Sequence, residues 1–249
     1  MGSPEDAPPR TDLPYLRHRR RPAVAPPEPV PVRAAGGDLL DLGTPTAPAV
    51  PPRSDPPPAV RRRLAPVRRV APDRPLALTP PTPTAVLTRI QSGVGTLTAT
   101  MHWSEPGVGR LLVACQRRSR EVRVLNPEPG SLVEAGGLLL DHRGGSPSLT
   151  WDLLHVREID RLMLAVTANR GPRPLTGVLT LVTYSGARVE VPVELPPEAM
   201  VSVLVTIFQV DGELVLRAER DTVGATLKDA CDAYGYGAVT WINPYTPMQ

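Results

Sequence analysis

Lysine is almost absent from this 249-residue chain: Lys228 stands alone against 27 arginines. Composition by itself attributes this to a GC-rich coding bias. Selection for phosphate recognition by the planar guanidinium fork is the alternative, and it stays open. Cysteine is scarce as well. Cys115 and Cys231 lie far apart, each in an apolar stretch. That excludes a disulfide scaffold and a Cys-x-x-Cys metal site, and it points to a reducing, cytoplasmic setting. No apolar run reaches 18 residues, so no membrane-spanning helix is expected. The N-terminal MGSPEDAPPR lacks a basic region followed by an apolar one, so no secretory signal is expected. Asp6 breaks the myristoylation pattern that Gly2 begins.

Proline divides the chain. Of 33 prolines, 22 fall in residues 1–84. Proline has no amide donor and opposes both helix and central strand. A disordered Pro/Arg-rich tail is therefore expected over residues 1–80, sampling extended polyproline II. Charge divides at the same place. Residues 1–84 carry 13 arginines against 8 acids, or +5, and the remainder carries 15 bases against 17 acids, or −2. The overall +3 thus belongs to the tail. Its arginines cluster at Arg17, Arg19, Arg20 and Arg21, and again at Arg61, Arg62 and Arg63 with Arg68 and Arg69. These are candidate contacts for an acidic partner, a nucleic acid or an anionic membrane surface. No aromatic residue interleaves them, as stacking on single strands requires, and a solvated charged linker is the competing reading. A second island, Gly36–Gly43 (GGDLLDLG), is either a docking motif that orders on binding or incidental.

From Pro83 the pattern changes to short β-rich runs, which places a folded domain over residues 81–249. In Gly95–Trp103, Leu97, Ala99, Met101 and Trp103 alternate with polar residues. This is the mark of a half-buried strand. Further strands are expected over Thr84–Ile90, Leu111–Gln116, Glu121–Leu125, Leu138–Leu140, Ser148–Leu153 and Asp160–Ala168. Gly177–Tyr184 and Arg188–Glu194 flank Ser185-Gly186 as a hairpin. Pro192, which lacks an N–H, marks an edge. The most informative stretch is Val201–Tyr236. Val201, Val203, Val205 and Ile207 form one face of a strand apolar on both faces. Asp211-Gly212 is a type I′ hairpin signal. Asp221 or Thr222 caps a helix bearing Val223, Leu227, Ala230 and Cys231, ended by Gly235 and Gly237. The expected fold is all-β: a β-sandwich of about 9–11 short strands with a C-terminal helix.

Catalytic chemistry has little support. His102, His142 and His155 lie in no cluster at metal or general-base spacing. His102 falls on the polar face of its strand and is expected to be exposed. Gly144-Gly145-Ser146 lacks the surroundings of a nucleophile elbow. The loop Asn169–Arg173 is a candidate anion cradle or a solvated turn. Trp103 and Trp151 are expected in or at the core, and Trp241 in a segment that folds back on the sandwich or meets a partner. No catalytic residue and no cofactor is assigned, and an unidentified protein partner is expected.

Four segments carry a resemblance. Thr100-Met101-His102-Trp103 stands where a Gly-Leu-Gly-Trp motif would be, with only the tryptophan kept. Ile159–Thr167 is similar to a Val-Asp-Lys-Ile strand, Val203–Ala218 to a long hairpin, and Gly224–Gly235, with Asp232, Tyr234 and Gly235, to a closing helix. Together they resemble the TerD family of calcium-binding tellurium-resistance and stress domains, over roughly residues 76–236. The resemblance implies a non-enzymatic binding or scaffold module in a tellurite or stress response. It also implies calcium held by acidic loops, and here the sequence departs. Arg110–Ala114 stands where the first carboxylates belong, and only Asp141 and Asp152 remain near the second site, beside Gly144, Gly145 and Ser146. Calcium takes about six to eight oxygens, several of them carboxylates. The ion sites are therefore expected to be lost, with a reduced calcium site near Asp141 and Asp152 as the alternative.

Overall fold

The computed structural model describes residues 67–105, 109–168, 174–197, 199–223 and 226–248. The tail arginines Arg19, Arg20, Arg21, Arg61, Arg62 and Arg63 and the loop 169–173 lie outside them. Two seven-stranded sheets face each other, with one small hairpin at the C-terminus. The described strands begin with β1 (Arg68–Arg69) and β2 (Leu76–Ala77), ahead of the Pro83 at which the sequence starts the order. Both pair in parallel with longer strands, and Val70 and Leu78 beside them are buried. Short backbone pairings hold them, too short for any periodicity, with Gln91 Nε2 donating to Val70 O at 2.9 Å and Arg220 donating to Leu78 O.

Then follow β3 (Thr84–Leu87), β4 (Thr96–Trp103), β5 (Gly109–Arg117), β6 (Val122–Leu125), β7 (Leu132–Ala135) and β8 (Leu138–Asp141). After these come β9 (Ser148–Asp152), β10 (Ile159–Ala168), β11 (Leu175–Thr183) and β12 (Arg188–Leu195). The chain ends with β13 (Val201–Val210), β14 (Glu213–Thr222), helix α2 (Leu227–Ala233), β15 (Trp241–Asn243) and β16 (Thr246–Pro247). Sheet A has the order β1-β3-β14-β13-β10-β5-β6, and sheet B has β2-β12-β11-β4-β9-β8-β7. Leu111, Leu164, Ile207 and Leu216 of sheet A meet Leu97, Leu149, Leu179 and Val191 of sheet B in one buried cluster. The all-β sandwich with a C-terminal helix is thus the architecture observed.

Several local expectations change. The run Thr84–Ile90 stops being a strand at Leu87. Thr88 and Gln91 form a reciprocal capping box that opens the one-turn helix α1 (Arg89–Ser92). Strand β7 goes unread in the sequence because its side chains are half exposed and mixed in polarity. The Gly136-Gly137 turn, with φ of 57° and 81°, folds it onto β8. Residues Leu153–Glu158 form a 3₁₀ helix capped by the Asp152 carboxylate, which accepts from the Leu154 N–H.

The four residues Val201, Val203, Val205 and Ile207 do not share a face. Leu204 is an extra residue against β10, where Leu164 opposes Val205 and Ala165 opposes Val203. Such a bulge inverts the alternation. Val201 and Val203 therefore face outward under α2, while Val205 and Ile207 face the core. On β14 the matching irregularity lies between Asp221 and Ala218, where Arg220 adopts φ 52°.

Strand β14 runs on to Thr222, so the helix begins later than expected. Its cap is Thr226, whose side chain accepts from the Asp229 N–H while Asp229 accepts from the Thr226 N–H. The helix ends at Tyr234, and Gly235 takes φ 75°. Pro192 lies in β12. The Glu190 carbonyl points to β2, accepting from the Leu78 N–H. By alternation Pro192 presents its missing N–H on that outer side, beyond the two residues of β2, so the β11 ladder loses nothing.

Candidate functional site

One pole of the sandwich gathers seven connections. They are the β1–β2 connection, α1 with Gly93–Gly95, the β5–β6 turn, the Gly136-Gly137 turn, the 3₁₀ helix, the β11–β12 turn and the Asp211-Gly212 turn. Asp211 and Gly212 have φ of 50° and 82°, the type I′ geometry that Asp-Gly favours. Backbone and side-chain bonds tie the connections together. The Leu153 N–H donates to Gly95 O at 2.9 Å, the Tyr184 N–H to Thr96 O at 2.9 Å, and the Arg118 N–H to Glu158 O at 2.9 Å. Ser92 Oγ bonds Thr88 O at 2.8 Å and Gly212 O at 3.2 Å.

These ties leave an open cleft of about 810 Å³ bordered by Arg89, Arg118, Arg157, Gln209 and Asp211. Arg118 donates to Gln209 Oε1. Arg89 lies over Gly212. Three arginines against the single carboxylate of Asp211 make the cleft net positive. A second opening, of about 600 Å³, continues it past Arg117, Arg120 and Asp160. Arg117 is paired with Glu158 at 3.7 Å. Among the described residues Arg89, Arg118, Arg120 and Arg157 have no carboxylate partner. Guanidinium groups without a carboxylate partner around a concavity suit an anion, which they can grip through their planar donor fork.

The residues singled out from the sequence fall elsewhere. Asp141 ends β8, and Arg143 grips it through its backbone N–H and guanidinium at 2.9–3.0 Å. These bonds hold the Asp141 carboxyl down to about 2. Asp152 ends β9 four residues beyond Ser148, the partner of Asp141. Roughly 13 Å of strand therefore separates the two carboxylates. Asp152 is occupied in capping the 3₁₀ helix and lies 3.5 Å from His155 Nδ1. The structure does not bring Asp141 and Asp152 together, and among the described residues no three His, Cys, Asp or Glu side chains form a metal cluster.

His102 is exposed, as its strand face requires, and its Nδ1 lies 3.4 Å from Ser146 Oγ. No carboxylate among the described residues orients that ring, so the pair lacks the third member of a hydrolytic triad. His142 is buried, and burial lowers its pKa and keeps the ring neutral. Trp151 is fully buried, Trp103 is half-buried against the core, and Trp241 folds back beside α2.

In the sequence Arg161 is one position of the strand Asp160–Ala168 and carries no motif of its own. It is 2% exposed. Its guanidinium donates to the Tyr234 and Gly235 carbonyls at 2.6 Å each and to Gln116 Oε1 at 2.8 Å. It also stacks 4.1 Å over the Tyr236 ring. It thus satisfies carbonyls at the end of α2, where the helix dipole favours a cation. The readable signal was a charge at an outward position of an apolar strand, because buried arginine is almost always paired. The pole arginines gave no signal, since positions 89, 118 and 157 share no motif.

No protein-family model matches the chain, and no curated protein does. A crystal structure of a protein of unknown function, SAV2460, aligns with 59% of this chain and 99% of its own, at 14% identity and a TM-score of 0.38.

Proposed function

We propose that this chain is a non-enzymatic binding or scaffold module of TerD-like type, whose working surface is the arginine-lined pole. The observation that carries the reading is the cleft of about 810 Å³ with Arg89, Arg118 and Arg157 on its border and no carboxylate partner for any of them among the described residues. Such a surface takes an anionic partner. The TerD kinship rests on the sequence of the Val203–Ala218 hairpin and the Gly224–Gly235 closing helix. A role in tellurite or stress response, and a cytoplasmic location, follow from that kinship alone. The tail arginines are a second anionic contact on the same reading. Among the described residues no helix is long and apolar enough to cross a membrane.

Heparin binding by the full chain tests this. The combined Arg89→Glu, Arg118→Glu and Arg157→Glu variant is expected to bind roughly tenfold or more weakly, with a strong salt dependence in the parent chain. Changing Arg19, Arg20, Arg21, Arg61, Arg62 and Arg63 to serine is expected to cost less. Unchanged heparin binding in the pole variant would sink the reading.

A further inference from the structure

The same pole carries an apolar feature that anion binding does not explain. The three most exposed large apolar side chains among the described residues are Ile90 at 81%, Leu154 at 78% and Tyr184 at 77%. All three belong to this one end. Val94 joins them at 62%. Ile90 sits on α1 beside Arg89, and Leu154 itself borders the cleft with Arg157. Val94 precedes Gly95, whose bare Cα lies against the Tyr184 side chain. Gly95 O also holds the Leu153 N–H. The four side chains are therefore tied to one rim.

Isolated exposed apolar residues are ordinary, whereas the most exposed ones gathered at one end, beside arginines without a carboxylate partner, mark an interaction site. Aliphatic tips surrounded by arginines match the boundary between acyl chains and anionic headgroups. They match single-stranded nucleic acid poorly, because base stacking needs aromatic rings and Tyr184 is the lone one here. We propose that this pole docks on an anionic lipid surface. Ile90, Val94, Leu154 and Tyr184 enter the interface, and Arg89, Arg118 and Arg157 contact the headgroups. This rests on the reading of the pole as an anion-binding surface and adds to it the partner's chemistry.

Flotation of the full chain with phosphatidylcholine vesicles, with and without phosphatidylglycerol, tests it. Binding is expected only to the anionic vesicles. The Ile90→Ser and Tyr184→Ser pair, uncharged and outside the cleft lining, is expected to lose most vesicle binding while keeping heparin binding. The Arg118→Glu and Arg157→Glu pair is expected to lose both, at about fivefold for each arginine on vesicles. All four positions are exposed, and unchanged melting confirms the fold of each variant. No binding of the parent chain to anionic vesicles overturns the proposal, and so does full vesicle binding by the Ile90→Ser and Tyr184→Ser pair. Vesicle binding that survives in both pairs and vanishes when the tail arginines become serine overturns it too, and assigns the contact to the tail. The heparin arm judges the anion-binding reading separately.

Discussion

Arg161 is where one residue carries the most structure. Burial lowers the pKa of its guanidinium, which still stays protonated across ordinary pH. A buried cation without its hydrogen bonds is costly, and here three acceptors and an aromatic face surround it. Arg161→Ala strands the Tyr234 and Gly235 carbonyls and is expected to cost about 3 kcal/mol in urea unfolding. A loss below about 1 kcal/mol would show that the helix end does not depend on it. The thiols are a second residue-scale matter. Burial pushes Cys115 up to about 11 and Cys231 to about 12, from an ordinary 9.0. Their folded values lie above the unfolded one. The stability they contribute is complete below pH 9.0 and falls as the pH climbs towards 11 and 12. At pH 8 both are expected to resist a thiol reagent until the protein is unfolded. Fast reaction of either in the native protein would contradict its burial. Asp141 behaves in the opposite sense. With its carboxyl held to about 2, its stabilisation is present above 3.8 and disappears as the pH falls through about 2. In Arg143→Ala the carboxyl is expected to titrate near its ordinary 3.8 by NMR.

At the scale of elements, α2 shows how a short helix persists. Seven residues are too few to be stable alone in water. Leu227, Ala230 and Cys231 bury one face against Val201, Val203, Met163 and Ala165. The Thr226–Asp229 capping box closes its start and Arg161 closes its end. Thr226→Ala is expected to lower stability by about 1 kcal/mol, with no change in the sheets' amide protection. An equal loss of protection throughout β10 and β13 would mean that the helix is no separable covering. The sequence fixes the helical period here, yet points to Asp221 or Thr222 as the cap. Both are good cap residues by type. Pairing of Ser202 with Thr222 and of Val203 with Asp221 extends β14 past them. Tertiary hydrogen bonding outweighs the local preference by completing the ladder. The same holds at Leu204, where one bulge sends Val201 and Val203 outward and lets a single strand serve both the core and the helix.

The described residues form two sheets closed over one apolar cluster, with two further clusters outside sheet A, one of them under the helix. Leu164 is fully buried between the sheets. Leu164→Ala is expected to cost about 3 kcal/mol and to lower the melting of both sheets in a single transition. Two separated transitions would show that the sheets are not one cooperative unit. Local rules alone make much of this fold legible. Alternation in Leu97–Trp103, continuous apolarity in Val201–Phe208 and the Asp211-Gly212 turn each depend on residues within a few positions of one another. They determine that the chain forms a β-sandwich, where its longer strands run and that a helix follows them. They do not determine which distant residues meet. Asp141 and Asp152 are close in sequence and lie at opposite ends of a strand, because a hairpin spreads its residues along its length. Arg89, Arg118 and Arg157 are far apart in sequence and share one cleft, because successive connections return to the same end of the sheets. Topology decides that assembly, since contacts between positions 29 and 39 residues apart leave no periodic trace in the sequence.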